Sequence, residues 1–381
     1  MIAHLRQLLI LVLLVLVSGC TYMGTRTIPY NELAKKYSSD HSDYIDIDGL
    51  VIHYSDEGSG PPLLLLHGVA SSLQTWDGWA KELKSKYRII RLDLPGFGLT
   101  GFDHGGSDYD LNYMLDKVNR FTEEMGLSKF FVAGNSLGGY IAWNFAERYP
   151  HKIYKMALVD AAGYPQDMPF WIGLGGLPVI STITEYMMPK PLVDWTVNSA
   201  YGDKSKITDE VRQRYFDMTQ RAGNRKSYVD VFRATRQQSK NPAQGENVKN
   251  IIVPTLLMWG EKDTWIPLDI MRKFQRDLPY SDFIVYEGVG HLPMEELPVQ
   301  TARDVDNFFM AELKTPMQHA EESSIKYYDG GNYKQIAPEH TESPAESAEP
   351  APADSAEPTA ALTPVPVQNA DSTAALNPAE L

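Results

Sequence analysis

The sequence predicts an α/β protein: a mostly parallel central sheet flanked by helices, with a helical cap inserted into it. Three observations lead there. Short β-rich runs alternate with helical patterns through the middle of the chain, as when strands are joined by crossover helices. Several of the runs are continuously apolar, as strands covered on both faces are. Between Gly163 and Val253 the alternation stops for some ninety residues, an insertion of the size that covers a site at the carboxyl side of such a sheet.

In chain order, Tyr44–Ile47 and Val51–Tyr54 flank Asp48-Gly49, a hairpin signal. Further strands are expected at Leu63–Leu66, Arg88–Leu92, Phe130–Ala133, Met156–Val159, Thr255–Met258 and Phe283–Tyr286. Helical patterns fill 72–86, 110–126, 137–149, 267–277 and 298–313. The expected organisation is a leader over 1–19, a linker over 20–40, core halves over 41–162 and 254–314, the cap over 163–253, and a tail over 315–381.

The 381 residues, 43% hydrophobic, suffice for one large core. Both ends fall outside it. One arginine, the apolar run Leu8 to Val17 and then Ser18-Gly19-Cys20 read as a secretory signal; the run is short for a bilayer span. At the other end, residues 341–381 hold seven acidic residues, seven prolines, eleven alanines, and no Lys, Arg or aromatic residue. Such a segment cannot bury enough apolar surface to offset its ordering entropy, so a disordered acidic tail is expected after Leu313. The tail carries half of the formal charge of −14, and the rest of the chain shows no basic stripe, which argues against nucleic-acid binding. A single cysteine excludes an intramolecular disulfide and a cysteine metal cluster.

Gly134-Asn135-Ser136-Leu137-Gly138 spells G-x-S-x-G between a strand candidate and a helix candidate that Pro150 ends. A sharp strand-to-helix turn there would lift the Ser136 hydroxyl above the sheet. A serine needs a base to take its proton, and a histidine suits that near neutral pH. With an elbow serine the chain order is serine, acid, histidine. His319 and His340 fall in or near the tail, which leaves His291, in Gly290-His291-Leu292-Pro293 beyond the last strand. The acid that orients the imidazole is expected at Asp263, after the Thr255–Met258 strand, with Glu261 competing and Asp160 as the runner-up. Oxyanion donors are expected from the backbone NH groups of Leu137 and Val69, the latter in His67-Gly68-Val69. His67 itself reads as a structural loop residue. Phe170 and Trp171 in the apolar first part of the cap, with Trp265, are the candidates to line a pocket for an acyl or other apolar substrate. The arginine-rich stretch from Arg212 to Arg236 reads as a solvated helix face.

Leu66-His67-Gly68, Asp93-Leu94-Pro95-Gly96-Phe97-Gly98, Gly134-Asn135-Ser136-Leu137-Gly138-Gly139, Gly260-Glu261-Lys262-Asp263 and Gly290-His291 together resemble the α/β-hydrolase superfamily over residues 40–314. Val17-Ser18-Gly19-Cys20 resembles the lipobox of bacterial lipoproteins, with Val17 where Leu is more usual. That resemblance implies cleavage before Cys20, acylation of Cys20 and a lipid anchor at the cell envelope; Thr21 in place of aspartate favours the outer membrane. With the apolar cap, the chain looks like the bacterial lipases and esterases related to monoacylglycerol lipases. The implied activity is carboxylic-ester hydrolysis through an acyl-enzyme, without metal or organic cofactor. The Gly-Asn-Ser-x-Gly-Gly elbow is also similar to that of meta-cleavage-product hydrolases, which split carbon–carbon bonds. A non-catalytic envelope lipoprotein that uses the fold as a scaffold is the remaining alternative.

Overall fold

Every strand signal in the sequence becomes a strand of one sheet: β1 (Ser42–Ile47), β2 (Leu50–Gly58), β3 (Pro62–Leu66), β4 (Arg88–Leu92), β5 (Phe130–Asn135), β6 (Ile153–Val159), β7 (Thr255–Gly260) and β8 (Ser281–Tyr286). β9 (Ile325–Tyr328) and β10 (Tyr333–Ile336) complete it. The computed structural model describes residues 22–105, 109–167, 178–312 and 325–336, so Cys20, Phe170 and Trp171 lie outside the described residues. The strand order is β1-β2-β4-β3-β5-β6-β7-β8-β9-β10. Pairing is parallel from β4 through β9 and antiparallel at both ends, in β1/β2/β4 and in β9/β10. β5 and β7 are buried at every residue, which is why their sequences show no alternation.

Among the described residues the helices are α1 (Tyr30–Tyr37), α2 (Asp77–Leu83), α3 (Leu111–Glu124) and α4 (Leu137–Arg148), then α5 (Pro178–Tyr186), α6 (Lys190–Ala200), α7 (Asp209–Gln220) and α8 (Asn224–Ser239) between β6 and β7. After them come α9 (Leu268–Asp277), α10 (Pro293–Glu296) and α11 (Pro298–Met310). Local chemistry sets several starts. Asp110 caps α3 by accepting from Tyr113 N at 2.8 Å, and Thr208 caps α7 by accepting from Val211 N at 3.3 Å. Proline opens α10 and α11, where its missing NH costs nothing.

The structure differs from the sequence reading in three places. First, residues 325–336 lie in the stretch expected as tail, yet β9 pairs with the β8 edge and turns back as β10. Unlike the acidic stretch beyond it, this segment carries Tyr327, Tyr328 and Tyr333; Tyr328 packs on Tyr286 with ring centroids 6.1 Å apart, and Tyr333 donates to Asp304. Second, the expected linker packs on the cap: Ile28 N donates to Gln220 O at 2.7 Å, and Leu33, 1% exposed, fills a small core with Leu99 and Met218. Third, the arginines of 212–236 are not all solvated. Arg225 donates to the carbonyls of Glu185, Arg26 and Thr219, groups that a helix end or loop leaves without partners.

Arg214 has a comparable task between cap and core. It donates to both Glu295 oxygens, at 2.8 and 3.0 Å, and Glu295 also accepts from Thr75, Tyr201 and Tyr215 hydroxyls. Glu296 accepts from the NH groups of Gly202, Asp203 and Gly290. Two adjacent carboxylates of α10 thus bind the segment that follows α6, and one of them binds α7.

Beneath the loops at the sheet's carboxyl end, Asp93 is a buried hub. It bonds His53 Nδ1 at 2.7 Å and accepts from Leu73 N and Leu99 N, each at 2.7 Å. Burial by itself would raise its carboxyl, but the hydrogen bond with His53 and the Leu99 NH outweigh burial and hold it below the usual carboxylate range. His67 links the same loops: its Nε2 accepts from Leu94 N at 2.9 Å and its Nδ1 donates to Gly68 O at 2.7 Å. That pattern fixes the neutral tautomer, and burial lowers the ring's basicity further.

Two predictions follow from these ties. A folded-state value below the unfolded one gives stability that is present above about pH 4 and lost as acid takes the pH through the folded value. Asp93→Asn should therefore flatten the acid limb of urea-unfolding stability and cost about 2 kcal/mol at neutral pH; a variant with the parent's acid limb would contradict the Asp93 assignment. Arg214→Met strands a buried Glu295 and should cost about 3–5 kcal/mol, while Arg214→Met with Glu295→Gln should recover much of it.

Candidate active site

Ser136 joins β5 to α4 with φ 54° and ψ −114°, a backbone state that costs a non-glycine residue energy and persists only where its surroundings impose it. Here they do. Ser136 N donates to Val159 O at 3.0 Å, and Ser136 O accepts from Tyr140 N at 2.9 Å and Ala162 N at 3.2 Å. The flanking glycines are required by contact: a Cβ on Gly134 would lie 2.2 Å from Gly138 O, and one on Gly138 would lie 2.1 Å from Leu66 O. Leu137 opens α4, so its NH lacks an intrahelical acceptor. The Gly68 loop lies against the elbow, since a Cβ there would stand 3.1 Å from Ser136 Cβ. Val69, Ser136 and Leu137 all line one cavity.

His291 and Asp263 meet as expected from sequence, Nδ1 to Oδ2 at 2.7 Å, with both side chains nearly sealed from solvent. Asp263 Oδ1 accepts from Trp265 N at 2.7 Å and Ile266 N at 3.1 Å, so the turn after β7 aims the carboxylate. His291 Nε2 is buried and makes no hydrogen bond, which leaves it able to accept a proton. Of the competing acids, Glu261 is exposed and accepts from Gly288 N, away from the imidazole. Asp160 is fully buried beside Asp263.

The base loop is held from three sides. Asn135 Nδ2 donates to His291 O at 3.0 Å and Val159 O at 3.1 Å, tying the residue before the serine to the histidine backbone. His291 N donates to Ala200 O at 2.7 Å, and Trp265 stacks on the imidazole with centroids 4.8 Å apart while its indole NH donates to Ser199 Oγ. Asn135 and the cap backbone were not legible as parts of the site: a hydrogen bond to a carbonyl leaves no motif.

The cavity that Ser136 lines has a volume of about 960 Å³. Its apolar side includes Leu111, Met114, Tyr140, Ile141, Phe232 and Trp265. Its polar side is a face of α8, where Lys226 and Arg233 both pair with Asp230, at 2.7 and 3.1 Å. His291 lines a smaller adjoining space with Asn135, Val69 and Trp265. Among the described residues, Asp160, Asp263 and His291 are grouped as metal ligands would be, within 4.8 Å of one another. The 2.7 Å contact between His291 Nδ1 and Asp263 is a hydrogen bond, so the proton on that nitrogen stands where an ion would bind it.

The sequence pattern of the alpha/beta hydrolase fold matches residues 61–298. Among curated relatives, 2-hydroxy-6-oxo-2,4-heptadienoate hydrolase of Pseudomonas putida is 25% identical over 274 residues, 69% of this chain and 94% of the relative. Monoacylglycerol lipase abhd6-B of Xenopus laevis is also 25% identical over 274 residues, covering 69% of this chain and 79% of the relative. Among solved structures, a membrane phospholipase A described as a bacterial virulence factor superposes with a TM-score of 0.61 at 27% identity, over 80% of this chain and 97% of that one. A parallel sheet with its order reversed around β3, an elbow serine at that reversal and a matched pattern over more than half of the chain agree: this protein belongs to the alpha/beta hydrolase fold family.

Proposed function

We propose that the protein is a serine carboxylic-ester hydrolase that acts through an acyl-enzyme on lipid-like esters, with Ser136 as nucleophile, His291 as base and Asp263 as the orienting acid. The observation that carries this reading is the sealed Asp263–His291 pair whose outer nitrogen is unbonded, beside a strained serine at a large, partly apolar cavity. Ser136 Oγ attacks the ester carbonyl carbon while His291 Nε2 takes the hydroxyl proton. The NH groups of Val69 and Leu137 receive the oxyanion. Collapse breaks the bond to the alcohol, which leaves with the proton from His291, and water repeats the sequence to release the acid.

Relatives of both chemistries keep the carbon–carbon hydrolase reading alive as the alternative. Charge in the cavity favours the ester. A dienoate substrate carries a carboxylate that needs a cation, whereas the two cations on the cavity lining, Lys226 and Arg233, both pair with Asp230, and Asp110 adds a second carboxylate to the same lining.

We further infer an envelope location, with the mature chain anchored through acylated Cys20 in the outer membrane, which Thr21 favours over the inner one. A few residues beyond Cys20, Gly24 O accepts from Met188 N between α5 and α6. Tyr22, Met23, Ile183, Tyr186 and Leu192 are large, exposed apolar residues on this segment and the two cap helices it touches, a composition suited to a lipid surface. Among the described residues no helix is long and apolar enough to cross a membrane.

The first test is hydrolysis of p-nitrophenyl esters of graded acyl length. Ser136→Ala should lower turnover by about 10⁴ to 10⁶ with folding intact; near-normal turnover would remove Ser136 from the mechanism, and activity confined to a dienoate carbon–carbon bond would install the alternative. For the anchor, cells fed a labelled fatty acid should yield labelled protein, and Cys20→Ser should abolish the label. Unlabelled wild-type protein would rule the lipid anchor out.

A further inference from the structure

Asp160 takes no part in the mechanism above, yet it is the closest carboxyl neighbour of the acid that does. It follows β6 with φ 44° and is fully buried. Its Oδ1 accepts from Gly260 N at 2.9 Å, which knits the ends of β6 and β7, while its buried Oδ2 meets no donor. Around it stand Asp263 from the turn after β7, Glu296 from α10, Tyr286 from β8 and His291 from the loop after β8. Glu296 is itself occupied by three backbone NH groups and lies near Lys206.

Two ionised carboxylates side by side in a sealed site repel without water to screen them, so the pair retains one proton. Donor count decides which oxygen carries it. Asp263 accepts from Trp265 N, Ile266 N and His291 Nδ1, three donors that favour its anion. Asp160 accepts from one. Burial first, and the Asp263 charge second, push the Asp160 carboxyl well above the ordinary range.

We propose that Asp160 is a neutral carboxylic acid whose Oδ2 hydroxyl donates to Asp263, making it a positioning residue for the acid of the triad and the reserve partner of His291 when Asp263 is removed. The proposal rests on the triad reading. In the intact protein the proton stays on Asp160 and the Asp263 carboxylate is held by one more donor. Without Asp263, the Asp160 carboxyl loses its anionic neighbour, releases its proton to solvent and faces the imidazole as a carboxylate.

The full chain tests this without reference to substrate. At neutral pH its infrared spectrum should contain the carbonyl stretch of a protonated carboxyl that Asp160→Asn removes; absence of that band overturns the proposal even if no ester is ever hydrolysed. Stability gives a second readout. A raised folded-state value means stabilisation that is full below the ordinary carboxylate range and fades as pH rises above about 4, so Asp160→Asn should gain on the parent in unfolding midpoint as pH rises from there.

The kinetic arm uses rescue. Asp160→Ala should lower kcat by about tenfold with KM unchanged, and Asp160→Asn, which keeps a donor in place, should restore most of it. In an Asp263→Ala background the same Asp160→Asn change should instead cost a further factor of about ten, because an amide cannot replace the charge. Equal effects in the two backgrounds would overturn the reserve role. A loss of decades from Asp160→Asn in the intact protein would show that an ionised Asp160 is required, and would overturn the proposal as a whole.

Discussion

The approach of α4 to the ends of β3 and β5 is the constraint on which the site depends. For Ser136 to stand above the sheet, the first turn of α4 must pass so close to Leu66 O that only hydrogen fits at Gly138, and only hydrogen fits at Gly134 beneath it. The strained serine backbone is the consequence, and hydrogen bonds to Val159, Tyr140 and Ala162 hold it there. Strain of this kind is stable only when many contacts over-determine it. The strand order supplies the rest. Chain order reverses around β3, so the loops after β3 and β5 diverge there and leave a crevice, in which the Gly68 loop and Ser136 face each other.

Asp263 and His291 arrive from the other half of the sheet and are held by the groups around them. Asp263 takes its direction from two NH groups of its own turn, and His291 from Asn135, Ala200 and the stacked Trp265. Some of these supports belong to the cap. Glu295 and Glu296, which follow His291 by a few residues, bind α7 and the segment after α6, so these parts of the cap and the His291 loop form one hydrogen-bonded unit. A cap displaced from that position would carry His291 N away from Ala200 O.

Family membership leaves the bond to be cleaved undecided, because the relatives include both a 2-hydroxy-6-oxo-2,4-heptadienoate hydrolase and a monoacylglycerol lipase. What distinguishes such reactions is the cavity. In this protein the two cations on its lining, Lys226 and Arg233, both pair with Asp230, Asp110 adds a second carboxylate, and Leu111, Met114, Ile141, Phe232 and Trp265 are apolar, a distribution better matched to an uncharged acyl chain than to a substrate carboxylate.

The sequence by itself determined the strands β1 to β8 and the helices flanking them, and it pointed to Ser136, Asp263 and His291, because each leaves a local trace: apolar runs, caps, glycines at a turn, and chain order at strand ends. Residues 325–336 were misread because a short hairpin gains its stability from the β8 edge and Tyr286, partners far away in the chain. The arginines were misread for a similar reason, since a charged helical residue looks the same whether it meets water or a buried carbonyl. Asp160, Asn135 and Glu295 acquire their meaning only where strands and loops converge. Hydrogen bonds between residues a hundred or more positions apart follow from the sheet order and the placement of the cap, and only the tertiary structure decided those.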